Sequence, residues 1–190
     1  MKFNLLFFIF YCIFSLQRYE SLVIREKTYT YQLISLESTS SNPDLFEIDV
    51  QLRRKSRREL VIFGYVDIKY DVQEGDDTEI EWVVYHSATG SESDYKLLPF
   101  NIRRQSIYDY LNSFYKDFIM NGIANCSDLW VFDGKAPSPL EKKRYEINDC
   151  VLNDDNYPNH LGDGFYRIIG RIYGQVESTI TLLVEVMRKF

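Results

Sequence analysis

Alternation of apolar and polar residues is the feature of this chain that most limits its fold. Across residues 45–52, apolar side chains recur at every second position, with charged or amide side chains between them. This period places the apolar side chains on one face of an extended segment and predicts a half-buried antiparallel strand. Residues 59–72 and 79–86 show the same period and follow charged turns. We expect these three segments to form a three-stranded meander.

Gly64 interrupts the alternation of the second of these segments. A glycine inside a strand favours a bulge or the close approach of another backbone, and we expect one of the two here. A further strand is predicted upstream at residues 28–36. Downstream, residues 164–173 and 179–187 are predicted to form a closing hairpin around a turn that begins at Gly174.

One segment departs from the two-residue period. Between residues 105 and 121, apolar side chains recur at helical spacing and predict one stripe of an amphipathic helix. The members of this stripe are Ile107, Leu111, Phe114 and Phe118. Core packing is the preferred explanation of such a stripe, and ligand contact is the alternative. The chain is therefore predicted to be mainly β, with one helix near residues 106–121.

The ends of this helix are marked by local signals. Ser106 is the expected N-cap, with Asp109 three positions later, and Asn121-Gly122 is the expected end. Tyr108 and Tyr115 are expected on the side of the helix opposite the apolar stripe. On that side they could contact a partner.

The N-terminus carries a run of uncharged, apolar residues at positions 5–14, directly after Lys2. Its length is typical of a secretory signal and too short for a membrane-spanning helix. We expect a signal peptide at residues 1–16, followed by a single secreted domain at residues 17–190; an uncleaved signal anchor is the alternative. Cleavage removes Cys12, and in an oxidising compartment Cys126 and Cys150 are expected to form one disulfide bond.

Composition and motifs exclude several classes of function. The formal net charge of −6 argues against a nucleic-acid-binding protein. His86 and His160 are the only histidines, and the chain has neither a nucleophile elbow nor a phosphate-binding loop. The cysteine spacing fits no zinc knuckle. We therefore predict no enzyme, no catalytic residue, no metal and no cofactor, and we interpret the neighbouring Glu79 and Glu81 as solvated charges.

Two surface features have both a functional and a structural interpretation. A basic cluster consists of Arg53, Arg54, Lys55, Arg57 and Arg58. It could contact anionic lipid headgroups or sulfated glycans, although a charged hairpin turn is the preferred interpretation. Asn125 begins a glycosylation sequon whose middle residue is Cys126, so oxidation of that cysteine would compete with glycan transfer.

The C-terminal half carries more specific motifs. They are residues 109–115, the Asn125-Cys126 pair, Cys150 and residues 157–167, which include Pro158, Gly164 and Tyr166. This pattern resembles the insect CheB chemosensory proteins, which are similar in turn to the ganglioside-activator branch of the ML lipid-recognition superfamily.

The resemblance implies a β-cup, in which two antiparallel sheets admit lipid chains between them and a helix lies near the rim. It implies a secreted lipid- or hydrocarbon-binding protein that acts in taste and contact-pheromone detection, with a sensory receptor or an ion channel as a possible partner. Combined with the alternation of the strands, it predicts six inward-pointing ligand contacts: Trp82, Val84, Phe114, Phe118, Tyr166 and Ile168. The alternative is a filled β-sandwich that acts through its surface as a ligand or accessory subunit of a receptor or channel.

Overall fold

The computed structural model describes residues 29–57, 59–151 and 161–189. The strands in these residues are β1 (Tyr29–Ser40), β2 (Phe46–Arg54), β3 (Leu60–Ile68), β4 (Glu79–Ser87), β5 (Lys96–Leu97), β6 (Ile102–Ser106), β7 (Lys143–Cys150), β8 (Gly164–Tyr173) and β9 (Ser178–Arg188). Helix α1 comprises three consecutive segments, Ile107–Tyr110, Leu111–Ile119 and Met120–Ile123. The expected signal peptide, Arg58 and His160 lie outside the described residues.

The strands form two antiparallel sheets. The larger sheet has the order β1-β9-β8-β4-β5, and β6 also pairs with β4. The smaller sheet has the order β2-β3-β7. The prediction of a mainly β, two-sheet fold with one helix is therefore confirmed.

The predicted three-stranded meander is wrong. β2 and β3 form its first hairpin, but β4 belongs to the larger sheet, where it pairs with β8. The two edges of β3 are already occupied by β2 and β7, so no edge is left for β4. The connection after β3 instead carries the chain to the other sheet and is held by two hydrogen bonds between Val72 and Leu140, at 2.8 and 3.2 Å.

Gly64 lies at a bulge, as expected. The register between β3 and β7 shifts between Ile62 and Gly64, and Gly64 has a φ of +133°. A Cβ atom at this position would lie 1.9 Å from the carbonyl oxygen of Asp49. Both predicted causes, a bulge and a close backbone approach, therefore operate at the same residue.

The closing hairpin is also confirmed. β8 and β9 pair without interruption from Gly164 opposite Val186 to Ile172 opposite Ser178. β1 then pairs with the other edge of β9, so that the N-terminal and C-terminal strands of the described chain are neighbours.

The helix begins where the sequence predicts, because the Ser106 side chain accepts a hydrogen bond of 3.1 Å from the backbone N–H of Asp109. Its middle segment, Leu111–Ile119, is a π-helix, and its last segment continues past Asn121-Gly122 to Ile123. A π-helix bonds residue i to residue i+5, so its inward positions recur at wider spacing than in an α-helix.

This geometry corrects the predicted stripe. Phe118 is 40% exposed, and the buried positions of the helix are Ile107, Tyr108, Tyr110, Leu111, Tyr115 and Met120. Tyr108 and Tyr115, expected on the opposite side of the helix, are each only 4% exposed and belong to the core. Their hydroxyl groups donate hydrogen bonds to the carbonyl oxygens of Val72 and Trp130, respectively.

The buried apolar residues form two separate clusters. The helix-side cluster joins the helix to the smaller sheet and to the adjacent end of the larger one; among its members are Phe46, Ile48, Val50, Ile68, Ile80, Tyr108, Tyr110, Leu111 and Tyr115. The far cluster lies at the other end of the larger sheet and consists of Tyr29, Leu33, Tyr166, Val184 and Val186. Leu52 and Leu60 of the smaller sheet pack against the far cluster.

Candidate functional site

Two rows of side chains cross the inner face of the larger sheet. In one row Trp82 lies opposite Gly170, which lies opposite Ile180. In the next row Val84 lies opposite Ile168, which lies opposite Leu182. We call these six residues the inward rows. Trp82 and Ile180 pack against the helix-side cluster, and the second row packs against the far cluster, so both rows face the smaller sheet.

The inward rows are apolar and incompletely covered. All their members except Gly170 are half-buried, although they occupy the middle of the sheet and face the other sheet. None of the six carries a charge. They therefore form an uncharged apolar strip between the two buried clusters.

Four aromatic rings connect the first row to the protein surface. The ring centroids are 6.5 Å apart for Trp82 and Tyr110, 6.1 Å for Tyr110 and Phe114, and 4.8 Å for Phe114 and Phe118. We call these four residues the aromatic line. Because Phe118 is 40% exposed, the line runs from solvent to the interior.

Gly170 makes room for the indole ring of Trp82. A Cβ atom at position 170 would lie 2.7 Å from two atoms of that ring. Any other residue at this position would displace the indole. The inner end of the aromatic line therefore depends on a glycine in the neighbouring strand.

The structure brings the six predicted ligand residues together only in part. Trp82 and Phe114 pack against the helix-side cluster, with Phe118 stacked on Phe114 at the surface. Val84 and Ile168 lie with Tyr166 at the far cluster. Since Trp82 and Val84 are two positions apart on one strand, their side chains share a face and link the two groups.

Tyr166 and His86 close the far end of this face. The centroids of their rings are 4.8 Å apart. The Tyr166 hydroxyl donates to the carbonyl oxygen of Gly162 at 3.0 Å, and His86 Nε2 lies 2.9 Å from the carbonyl oxygen of Asp163. Burial raises the pKa of Tyr166. Both side chains therefore hold the loop that precedes β8.

The sequence predictions missed four residues of the site: Gly170, Ile180, Leu182 and Tyr110. Ile180 and Leu182 could have been found, because the predicted closing hairpin places them in phase beside Gly170 and Ile168. Tyr110 could not, because it lies in the α-helical segment Ile107–Tyr110 but outside the stripe that the four-three-four spacing defines.

The disulfide bond between Cys126 and Cys150 is confirmed, with the two Cα atoms 5.2 Å apart. It fastens the segment after the helix to the edge of β7, where Asn148 N–H donates to the carbonyl oxygen of Cys126 at 2.6 Å. Asn125 is exposed beside it. The hydroxyl of Ser127, the third sequon residue, donates to the Ile123 carbonyl oxygen at 3.0 Å. Glycosylation of Asn125 stays a prediction.

Residues 80–168 match the protein family DUF1091. That family is described as a protein of unknown function. No curated protein matches the chain. The DUF1091 match contains the helix, both cysteines of the disulfide bond and all six predicted ligand residues. It therefore coincides with the part of the chain that builds the aromatic line.

Outside the DUF1091 match, the basic cluster lies at the hairpin turn between β2 and β3. Lys55 N–H donates to the carbonyl oxygen of Glu59 at 3.0 Å and closes the turn. Arg53 pairs with Asp149 and lies 4.7 Å from the ring of Phe63. Arg54 donates to the carbonyl oxygen of Arg57 at 3.0 Å. The described members of the cluster thus form a charged turn, and contact with headgroups stays a prediction.

Glu79 and Glu81 are each bound to an arginine. Glu79 lies 2.6 Å from Arg104, and Glu81 lies 2.8 Å from Arg171. The Tyr173 hydroxyl also donates to Glu81 at 2.6 Å, and this hydrogen bond, together with Arg171, lowers the pKa of the Glu81 carboxyl. The two carboxylates are ion-paired separately and do not share a proton.

Two surface depressions lie away from the inward rows. One, of about 590 Å³, is lined mainly by polar side chains around Asp76, Glu79 and Glu177. The other, of about 260 Å³, lies over Phe63 and Tyr65 and is lined by Asp49, Gln51 and Asn148. Neither has the apolar lining that an alkyl chain requires. Among the described residues, no helix is long and apolar enough to cross a membrane.

Proposed function

We propose that this chain is a secreted, non-enzymatic protein that binds the alkyl chain of a lipid or hydrocarbon between its two sheets. The observation that carries the proposal is the incomplete burial of the inward rows. In a filled sandwich, the side chains at the middle of the inner faces interdigitate and form one continuous core. Here they lie between two separate clusters and remain half-buried.

The energetics of such a site come from burial alone. Each methylene group of a ligand that leaves water contributes about 0.8 kcal/mol, and no catalytic group is needed. Val84, Ile168 and Leu182 supply the apolar wall, and the aromatic line leads to it from the surface. Affinity is therefore expected to rise with chain length until the space between the sheets is filled.

The biological role rests on the resemblance to the CheB proteins. That resemblance supports a part in chemosensory detection, by taste or of contact pheromones, and a sensory receptor or ion channel as the partner that senses the loaded protein. Secretion rests on the apolar run at residues 5–14 and the disulfide bond, which is typical of an oxidising compartment.

A surface-acting sandwich is the second candidate. The exposed turn with Arg54, Lys55 and Arg57 favours it, because three cations at the tip of a hairpin can meet an anionic partner. In that case no ligand would lie between the sheets, and loss of these cations would abolish function.

Native mass spectrometry of the secreted protein, before and after organic extraction, tests the proposal. We expect a stoichiometric long-chain lipid in the native spectrum and its loss on extraction. Ile168→Trp, which fills the space between the sheets, should abolish retention. Ile169→Trp, at the next position on the outer face, is the matched control and should retain it. An unoccupied protein that also takes up no long-chain lipid from a panel would contradict the proposal and favour the surface-acting sandwich.

A further inference from the structure

The indole N–H of Trp82 is buried and has no hydrogen-bond partner among the described residues. A buried N–H without a partner is rare, because the group loses its hydrogen bond to water and gains none in return. Trp130 shows the usual arrangement, since its indole N–H donates to the Tyr145 hydroxyl at 3.2 Å. The exception at Trp82 therefore indicates a partner that the described part of the chain does not supply.

The side chain that carries this N–H group lies on the proposed ligand path. The indole lies over Gly170 in the first inward row, beside Val84 and Ile168 of the second row. It also forms the inner end of the aromatic line, next to Tyr110. An alkyl chain that follows the line inward from Phe118 would bring its end or a mid-chain group to Trp82.

The surroundings restrict the kind of acceptor. The residues packed around Trp82 on this face are apolar or aromatic, and the inward rows contain no cation. A carboxylate placed there would lose its hydration without gaining a counter-ion, which is strongly unfavourable. A neutral carbonyl, ester or hydroxyl oxygen can accept one N–H without this penalty. Three polar side chains on this face, Ser38, Tyr166 and His86, already bond to backbone carbonyl oxygens.

We propose that Trp82 donates its indole N–H to a neutral oxygen atom of the bound lipid. The protein then selects long-chain esters, ketones or alcohols over alkanes, which offer no acceptor, and over fatty-acid anions, which would be buried without a counter-ion. This inference rests on the proposed function and specifies the ligand class of the same site.

A competition experiment tests the selection. Equal amounts of octadecane, methyl stearate and stearate are offered from methyl-β-cyclodextrin, and the lipid retained by the re-purified protein is extracted and quantified. We expect the unsubstituted protein to retain the ester at least roughly fivefold over each competitor, as a gain of about one hydrogen bond requires. Trp82→Phe should abolish the preference of ester over alkane, whereas Trp130→Phe, the matched control, should keep it.

A spectroscopic readout does not depend on the folding of any Trp82 variant. In the amide and indole NMR spectrum of labelled protein, Trp130→Phe assigns the two indole signals. Methyl stearate should move the Trp82 indole proton downfield, and octadecane should not. Equal retention of all three lipids, or a preference for the ester that is unchanged in Trp82→Phe, would contradict the proposed hydrogen bond from Trp82. Either result would still support lipid binding between the sheets. Retention of none of the lipids would overturn the carrier function and the selection with it.

Discussion

At the scale of single residues, Gly64 shows how one backbone position limits the choice of side chain. Its φ of +133° is costly for any residue with a Cβ atom, and that atom would overlap the Asp49 carbonyl oxygen. We expect Gly64→Ala to lower the free energy of unfolding by about 3 kcal/mol or more, measured by urea denaturation. Gly75→Ala is the control, because Gly75 has a φ of +100° but nothing within 4 Å of an added Cβ. Gly75→Ala should lower the free energy of unfolding by about 1 kcal/mol. If both substitutions lower it by the same amount, the overlap at Gly64 does not cause the destabilisation.

Glu81 makes stability depend on pH. The Tyr173 hydroxyl and the Arg171 guanidinium hold the pKa of its carboxyl below the ordinary value of 4.5 in the folded protein. A depressed folded-state pKa stabilises the protein above the unfolded-state pKa, and this stabilisation is lost as the pH falls through the folded-state pKa. Glu81→Gln should therefore be less stable than the unsubstituted protein at pH 7, and the two unfolding curves should converge in acid. A difference that persists unchanged into acid would argue against ionisation as its source.

At the scale of elements, the helix shows how local geometry redirects side chains. Ser106 and the apolar spacing predicted a helix at the correct place, but its π-helical middle buries Tyr115 and leaves Phe118 at the surface. Tyr115 is then held on both sides, since its ring lies 6.3 Å from Trp130 and 6.4 Å from Phe132. The inward face of this element follows from packing and not from the periodicity of the sequence.

The disulfide bond joins two elements that the chain would otherwise leave loosely connected. Cys126 follows the helix and Cys150 ends β7, with a sequence separation of 24. Replacing both cysteines by serine should lower the free energy of unfolding by about 3.5 kcal/mol on the chain-entropy model. Addition of a reductant should destabilise the unsubstituted protein by a similar amount and leave the double variant unchanged. If reduction has no effect on the unsubstituted protein, the bond does not restrain the unfolded chain.

At the scale of the whole molecule, we expect stability and the proposed lipid binding to depend on different residues. Leu111 is 1% exposed in the helix-side cluster, whereas Phe118, on the same helix, is 40% exposed and stacks only on Phe114 among the ring contacts of the described residues. Leu111→Ala should therefore cost about 3 kcal/mol of stability. Phe118→Ala should cost about 1 kcal/mol but reduce retained lipid roughly fivefold or more. Retained lipid is measured by extraction, and stability is measured by urea denaturation. If Phe118→Ala lowers stability as strongly as it lowers lipid retention, Phe118 belongs to a plain packed core.

The sequence by itself determined strands β1 to β4, the closing hairpin, the bulge at Gly64, the start of the helix and the disulfide pair, but not strands β5, β6 and β7. These features depend on neighbouring residues or allow only one outcome. A hydrophobic period of two residues requires an extended chain, and Ser106 caps the segment that follows it. Two cysteines can form only one disulfide bond. Val84 and Ile168 were identified as inward residues for the same reason, because alternation assigns faces without knowledge of the fold.

Only the tertiary structure decided which strands are neighbours and which helix face is buried. β4 has the same alternation whether it pairs with β3 or β8, and the choice depends on the edges of β3 being occupied by β2 and β7. Tyr115 turns inward because a π-helix changes the angle between successive residues. The position of the Trp82 indole depends on Gly170, a residue nearly ninety positions away in the chain. Sequence patterns report the preferences of neighbouring residues, whereas these features are set by contacts between distant ones.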